Sequence, residues 1–209
     1  MISLPRLYAI LDPACFSNSE DALTAAEEWV NAGVTLLQYR NKSMNARHIL
    51  SDAQRITRIR NHIRGLLKLK LIMNDRADLC LAAEFDGVHV GQDDLSPKSV
   101  RKIIGPERCL GVSTHNPEQV AEANQTSADY IAIGPVFATA SKCNPDPVVG
   151  LDGVRRARAL TRKPLVAIGG ITRQNCRAVI EAGADSVAVI SDLVHEPRKS
   201  IEEFLRILE

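Results

Sequence analysis

An alternation of short apolar runs with longer stretches of helical spacing runs the length of this chain and constrains its fold more than any other feature. Runs rich in Val, Ile and Leu read as strands at 7–11, 35–40, 71–74, 88–90, 110–113, 130–133, 165–168 and 186–190. Between them, helical patterns cover 19–32, opened by Ser19 and closed by Gly33, then 45–62, 77–83 and 97–104, the last stopped by Gly105-Pro106. Further helices read at 117–125, 152–160, 174–182 and 200–208, with Pro117 in a first-turn position. Parallel strands joined by helical crossovers follow from the alternation. Eight such units predict closure into an α/β fold, a (β/α)8 TIM barrel, as one domain over residues 1–209. A doubly wound open sheet is the alternative, but no glycine-rich dinucleotide fingerprint follows the first strand.

Composition narrows the function by exclusion. A net charge of +1 gives no general reason to bind nucleic acid or an acidic membrane surface. No apolar stretch approaches transmembrane length, and residues 1–6 do not lead into a signal-peptide core. The five cysteines (Cys15, Cys80, Cys109, Cys143, Cys176) are odd in number and form no CxxC pair. They read as reduced thiols of a cytoplasmic protein without a zinc site, and Cys143, in a polar loop, as a bystander. The basic helix after the second strand reads as a solvated outer face.

In a parallel barrel the chemistry gathers where the strands end, because the following loops converge on one mouth. There the third strand runs into Asn74-Asp75 and the fourth into Gly91-Gln92-Asp93-Asp94. Asp75 and Asp94 together make a hard oxygen pair suited to magnesium carrying a substrate phosphate, while either aspartate alone also suits a helix cap. Strand parity turns Gln38 and Arg40 into the mouth, with Lys42 just beyond, and turns Leu37 and Tyr39 toward the helices. Arginine and lysine so placed suit a diphosphate. Past the sixth strand, Gly134 to Lys142 reads as a lid or binding loop, and Gly169-Gly170 and Ile190-Ser191 read as a phosphate cradle. Ser113 faces the same mouth. His89, between two valines, reads as a hydrogen-bonded core residue, and His115 as the better acid–base candidate.

Taken in order, Gln38-Tyr39-Arg40-Asn41-Lys42, Met73-Asn74-Asp75-Arg76, Asp86 to Gln92 with Asp94, Gly111 to His115, the Gly134 to Lys142 loop, Gly169-Gly170-Ile171 and Ile190-Ser191 resemble the thiamine phosphate synthase family. That family joins a 4-amino-2-methyl-5-hydroxymethylpyrimidine diphosphate to a thiazole phosphate. The resemblance implies that Gln38, Tyr39, Arg40, Asn41, Lys42, Asn74, Ser113 and Lys142 bind the pyrimidine diphosphate. It implies thiazole phosphate on Thr139, Ala140, Ser141, Gly170, Ile190 and Ser191, and Mg2+ on Asp75 and Asp94. Ser141 departs from the family's Thr-x-Thr-Lys by one methyl group. The implied partners are small-molecule substrates, with no nucleic acid and no membrane. The sequence leaves oligomeric state open. Two rival readings are a thiazole tautomerase using His115 and a catalytically silent binding barrel.

Overall fold

The computed structural model describes residues 3–43, 45–62, 68–139 and 146–209. Among them, eight parallel strands pair in chain order and close on themselves. They are β1 (Leu7–Leu11), β2 (Leu36–Tyr39), β3 (Lys70–Asn74), β4 (Gly87–Val90), β5 (Cys109–Thr114), β6 (Tyr130–Ile133), β7 (Leu165–Ile168) and β8 (Ser186–Val189). Closure is made by β8 on β1, with Tyr8 opposite Ala188. The helices α1 (Ser19–Asn31), α2 (Ala46–His62), α3 (Ala77–Ala82), α4 (Pro97–Ile104), α5 (Pro117–Asn124), α6 (Gly150–Leu160), α7 (Cys176–Glu181) and α8 (Pro197–Leu208) separate the strands and follow the last one. The TIM barrel expected from the alternation is therefore the fold.

Local chemistry moves several boundaries. Asn18, not Ser19, caps α1, its side chain accepting from the Asp21 amide at 2.9 Å. The last helix starts at Pro197, ahead of Ser200, because proline fits a first turn that lacks an amide partner. Ser200 is instead buried and donates its hydroxyl to the His195 carbonyl at 2.7 Å. Two short 3-10 turns, Pro13–Cys15 and Ser191–Leu193, follow β1 and β8, and the apolar periodicity gives no sign of either.

Strand parity splits the apolar side chains into two layers. Leu7, Ala9 and Leu11 of β1, with Leu37 and Tyr39 of β2, pack outward against helical residues such as Trp29 and Phe204. Tyr8, Ile10, Leu36, Ile72, Tyr130, Ala132, Val166 and Ala188 fill the lumen. At the N-terminal end, three aspartates just before the even strands clasp the preceding odd strands. Asp86, Asp129 and Asp185 each accept, at 2.8 Å, the amide of Leu71, Leu110 and Leu165 in turn. Each also receives a guanidinium from the even helix that precedes its odd strand, Arg60, Arg101 and Arg158 respectively. A charged residue thus replaces open water at the foot of a strand pair, where a lone backbone amide would be left without a partner.

One position in the lumen has room for nothing larger than hydrogen. A Cβ on Gly111 of β5 would lie 2.0 Å from Tyr130 Cζ and 2.5 Å from His89 Nδ1. That space lets the two rings stack at 5.5 Å between centroids. Gly111→Ala is expected to lower unfolding stability by about 1–3 kcal/mol, the usual cost of overpacking. Urea denaturation would measure it, and an unchanged midpoint would show that the lumen repacks freely.

Candidate active site at the barrel mouth

The C-terminal ends of the strands enclose a cavity of about 490 Å3. Its floor is the upper surface of the lumen layer, through Tyr8, Ile10, Ala132, Val166 and Ala188, and its walls come from the loops above. The floor is apolar because inward positions pack against one another. The walls are polar because those loops have no strand partner to bury them.

On the β2 to β4 side, parity is as expected. Gln38, Arg40 and Lys42 line the cavity, whereas Tyr39 and Asn41 do not. The Tyr39 hydroxyl donates to Asp52 of α2 at 2.9 Å and accepts from Asn41 Nδ2 at 3.0 Å, so both side chains are committed behind the strand. Arg40 is aimed by Asp12, a buried carboxylate with which it forms an ion pair. The same Asp12 accepts from the Ala14 amide at 3.1 Å, which ties it to the turn after β1. Sequence reasoning passed over Asp12, although an acid directly after the first strand occupies the same kind of position as Asp75.

Asp75 and Asp94 both line the cavity, and neither caps the helix that follows. Arg76 and Ser96 hold those cap positions. Asp94 accepts from the Gly91 amide at 2.8 Å, folding its own loop back. Asp75 sits at φ 60°, a left-handed conformation uncommon outside glycine. Its amide donates to the His89 carbonyl at 2.8 Å, and its carboxylate pairs with Lys42 at 2.5 Å. Burial raises its pKa above the ordinary carboxylate value. Lys42 opposes that, and the neighbouring Asp94 adds to it. Beside them Asn74 lines the same cavity, and its Nδ2 is buried without a hydrogen-bond partner among the described residues. No cluster of three or more His, Cys, Asp or Glu suited to a metal occurs among the described residues. Two carboxylates do fit an ion that takes its remaining oxygens from a phosphate and water.

On the β6 to β8 side, Thr139, Gly170, Ile190 and Ser191 line the cavity. Ala140, Ser141, Lys142 and Cys143 lie outside the described residues. Gly169 and Gly170 take φ values of 102° and 62°. A Cβ on Gly170 would lie 2.5 Å from the Ala138 carbonyl, so the glycine is demanded by the neighbouring loop as much as by any ligand. Asn175 fixes the turn by donating to the Gly170 carbonyl at 3.0 Å. Asp192 accepts from the Arg173 amide at 2.9 Å and pairs with its guanidinium, locking the loop after β7 to the one after β8.

Ser113 lines the cavity as expected. His89 is a buried core residue as expected, but it also reaches the cavity, contacting Ser113 Oγ at 2.8 Å and Tyr130 Oη at 2.9 Å. Burial lowers its pKa to about 4, so the ring is neutral at physiological pH. His115 donates Nδ1–H to the Gly134 carbonyl at 2.6 Å, and its Nε2 lies 3.5 Å from Asp146. It is a tethered wall residue and not a loose loop histidine.

The sign of the Asp75 effect is testable. A carboxyl whose pKa is raised in the fold adds stability below its unfolded value and loses it as pH rises through the folded one. Asp75→Asn keeps a side chain that tolerates left-handed backbone. It is expected to be more stable than the parent at pH 7, the difference closing below about pH 4. Thermal unfolding across that range measures it, and a less stable Asn variant at pH 7 would mean that the Lys42 pair outweighs burial.

Residues 7–193 match a family model described as thiamine monophosphate synthase. The chain is 59% identical over 210 residues to the thiamine-phosphate synthase of Koribacter versatilis (strain Ellin345), covering 99% of this chain and 97% of that one. It is 40% identical over 189 residues to the thiamine-phosphate synthase of Shouchella clausii (strain KSM-K16), covering 90% and 88%. Among solved structures, the thiamine phosphate pyrophosphorylase from Pyrococcus furiosus superposes with a TM-score of 0.85 at 29% identity, covering 97% and 95%.

Proposed function

From the premise that this chain belongs to the thiamine monophosphate synthase family, we propose that its barrel mouth is a transferase site of thiamine biosynthesis. The reaction joins 4-amino-2-methyl-5-hydroxymethylpyrimidine diphosphate to a thiazole phosphate and releases diphosphate. One observation carries the reading: a single cavity has cations and a carboxylate pair on its β2 to β4 side and a glycine and hydroxyl cradle on its β6 to β8 side. Two anionic substrates placed there meet over an apolar floor.

Arg40, held by Asp12, and Lys42 take the diphosphate oxygens, and the unpartnered Asn74 amide supplies a further donor. Asp75 and Asp94 would hold a magnesium ion, which supplies charge neutralisation for the departing diphosphate. The Gly170 and Ser191 amides, with the Ser191 and Thr139 hydroxyls, take the thiazole phosphate. The residues aid departure by stabilising charge as it grows on the leaving group. The amino group of the pyrimidine donates electrons into its ring and stabilises the methylene cation left when the C–O bond breaks. The thiazole nitrogen, positioned through its own phosphate, captures that cation. Bond formation removes no proton, so positioning accounts for much of the rate.

A tautomerase would rest on His115, whose Nδ1 is already committed to the Gly134 carbonyl. That reading also leaves Arg40, Lys42 and the aspartate pair without a task. The four described cysteines are free thiols, and no described helix is long and apolar enough to cross a membrane. We place the reaction in the cytoplasm on that basis, with small molecules as partners.

The purified protein is expected to form thiamine phosphate from both substrates with magnesium, and to stop on chelation. Asp94→Ala should abolish the product, whereas Asp93→Ala should be much milder. Ser191→Ala should raise the thiazole-phosphate KM about tenfold, the worth of one hydrogen bond to a charged group, and leave the pyrimidine KM nearly unchanged. Magnesium-independent turnover of thiazole phosphate alone, with none of the condensation, would overturn the assignment.

A further inference from the structure

A line of hydrogen bonds crosses the lumen beneath the cavity and ends in it. Gln38 Nε2 donates to Tyr8 Oη at 2.9 Å, and Tyr8 Oη lies 2.9 Å from Tyr130 Oη. From there His89 spans the gap to Ser113 Oγ. Five side chains from β2, β1, β6, β4 and β5 thus form one connected path. Tyr8 and Tyr130 are each 1% exposed, so water is not there to mend an unpaired proton.

With the Gln38 amino group on Tyr8 Oη, counting protons gives the path one direction. The Gln38 amino group can only donate, so Tyr8 accepts there and its single proton must go to Tyr130. The Tyr130 proton then has His89 Nδ1 as its acceptor. A neutral imidazole carries one N–H, which therefore sits on Nε2 and donates to Ser113 Oγ. The Ser113 proton is left to point outward, into the cavity. With Gln38 so turned, the reverse polarity strands the Tyr8 proton in the lumen with no acceptor. That costs more than any gain in the bonds themselves.

Taking Ser113 as a diphosphate contact, which the synthase reading already implies, we propose that His89, Tyr130, Tyr8 and Gln38 are positioning residues that set the direction of its proton and make its hydroxyl a donor toward that anion. The identity of the acceptor rests on the synthase reading; the direction of the proton does not. The Ser113 and His89 pair resembles, in distance alone, the nucleophile and base of a hydrolase. Its polarity is the opposite, since the imidazole gives a proton to the hydroxyl and takes none. A hydroxyl that accepts from an imidazole N–H is a stronger donor in turn. No proton changes hands as diphosphate leaves: the C–O bond breaks with its electron pair going to the leaving group, and Ser113 keeps its hydrogen while bonding to the charge.

The direct test is the tautomer of His89 in the resting protein, read from the nitrogen chemical shifts of 15N-histidine-labelled material and assigned by loss of the signal in His89→Gln. An unprotonated Nδ1 and a protonated Nε2 are expected, and the opposite tautomer would overturn the proposal. That readout needs no substrate, so it separates failure of this inference from failure of the synthase assignment. The second test is a double-mutant cycle in kcat. Tyr130→Phe keeps the ring that fills the space over Gly111 and removes only the hydroxyl. Ser113→Ala and Tyr130→Phe should each lower kcat about tenfold or more. The pair together should do no worse than Ser113→Ala, because Tyr130 acts through Ser113. Losses that multiply would show an independent packing role and reject the positioning one.

Discussion

In a closed barrel of short strands, every second side chain must enter a lumen shared by all eight, and what those positions carry decides the rest of the molecule. Near the strand starts they are apolar or small, and they seal the interior. Toward the strand ends they become Gln38, His89 and Ser113, each on a different strand. None of these could be buried alone at tolerable cost. Closure puts them within reach of one another and of the two tyrosines, so the transition from sealed core to wet cavity takes place inside one hydrogen-bonded layer.

Above that layer the site is built from charges that are already paired. Arg40 arrives with Asp12, Lys42 with Asp75, and Arg173 with Asp192. Each pairing gives a long, flexible cation one orientation and a partner when no ligand is bound. Two departures from ordinary backbone and pairing lie here too, left-handed Asp75 and the unpaired Asn74 amide. Features that cost stability persist where the surrounding fold holds them in place.

The barrel was legible because its two periods, two for strands and about 3.6 for helices, are written in apolar residues that nothing else in the chain imitates. Parity alone separated Gln38 and Arg40 from Tyr39. It could not place Asn41, which lies past the strand end where the period stops; its side chain turned back to Tyr39. Tyr8 and Tyr130 read as ordinary strand residues, since their meaning comes from a contact across 122 positions of sequence. Asp12 was missed for a related reason. Its role appears only once β1 and β2 lie side by side with Leu11 against Tyr39.

The aspartate clasps at the foot of the barrel bear on how such a ring comes together. They join residues 15, 19 and 20 positions apart, so each ties an odd strand to the next even one across a single intervening helix. Loop-closure entropy makes those three joints the least costly to form, and the seam of β8 on β1 the most costly. The β1 and β2 pair has no such aspartate, with Val34-Thr35 before its even strand. That unclasped pair is also the one that must receive β8. The chain leaves unfastened the quarter of the ring that has to wait for its other end.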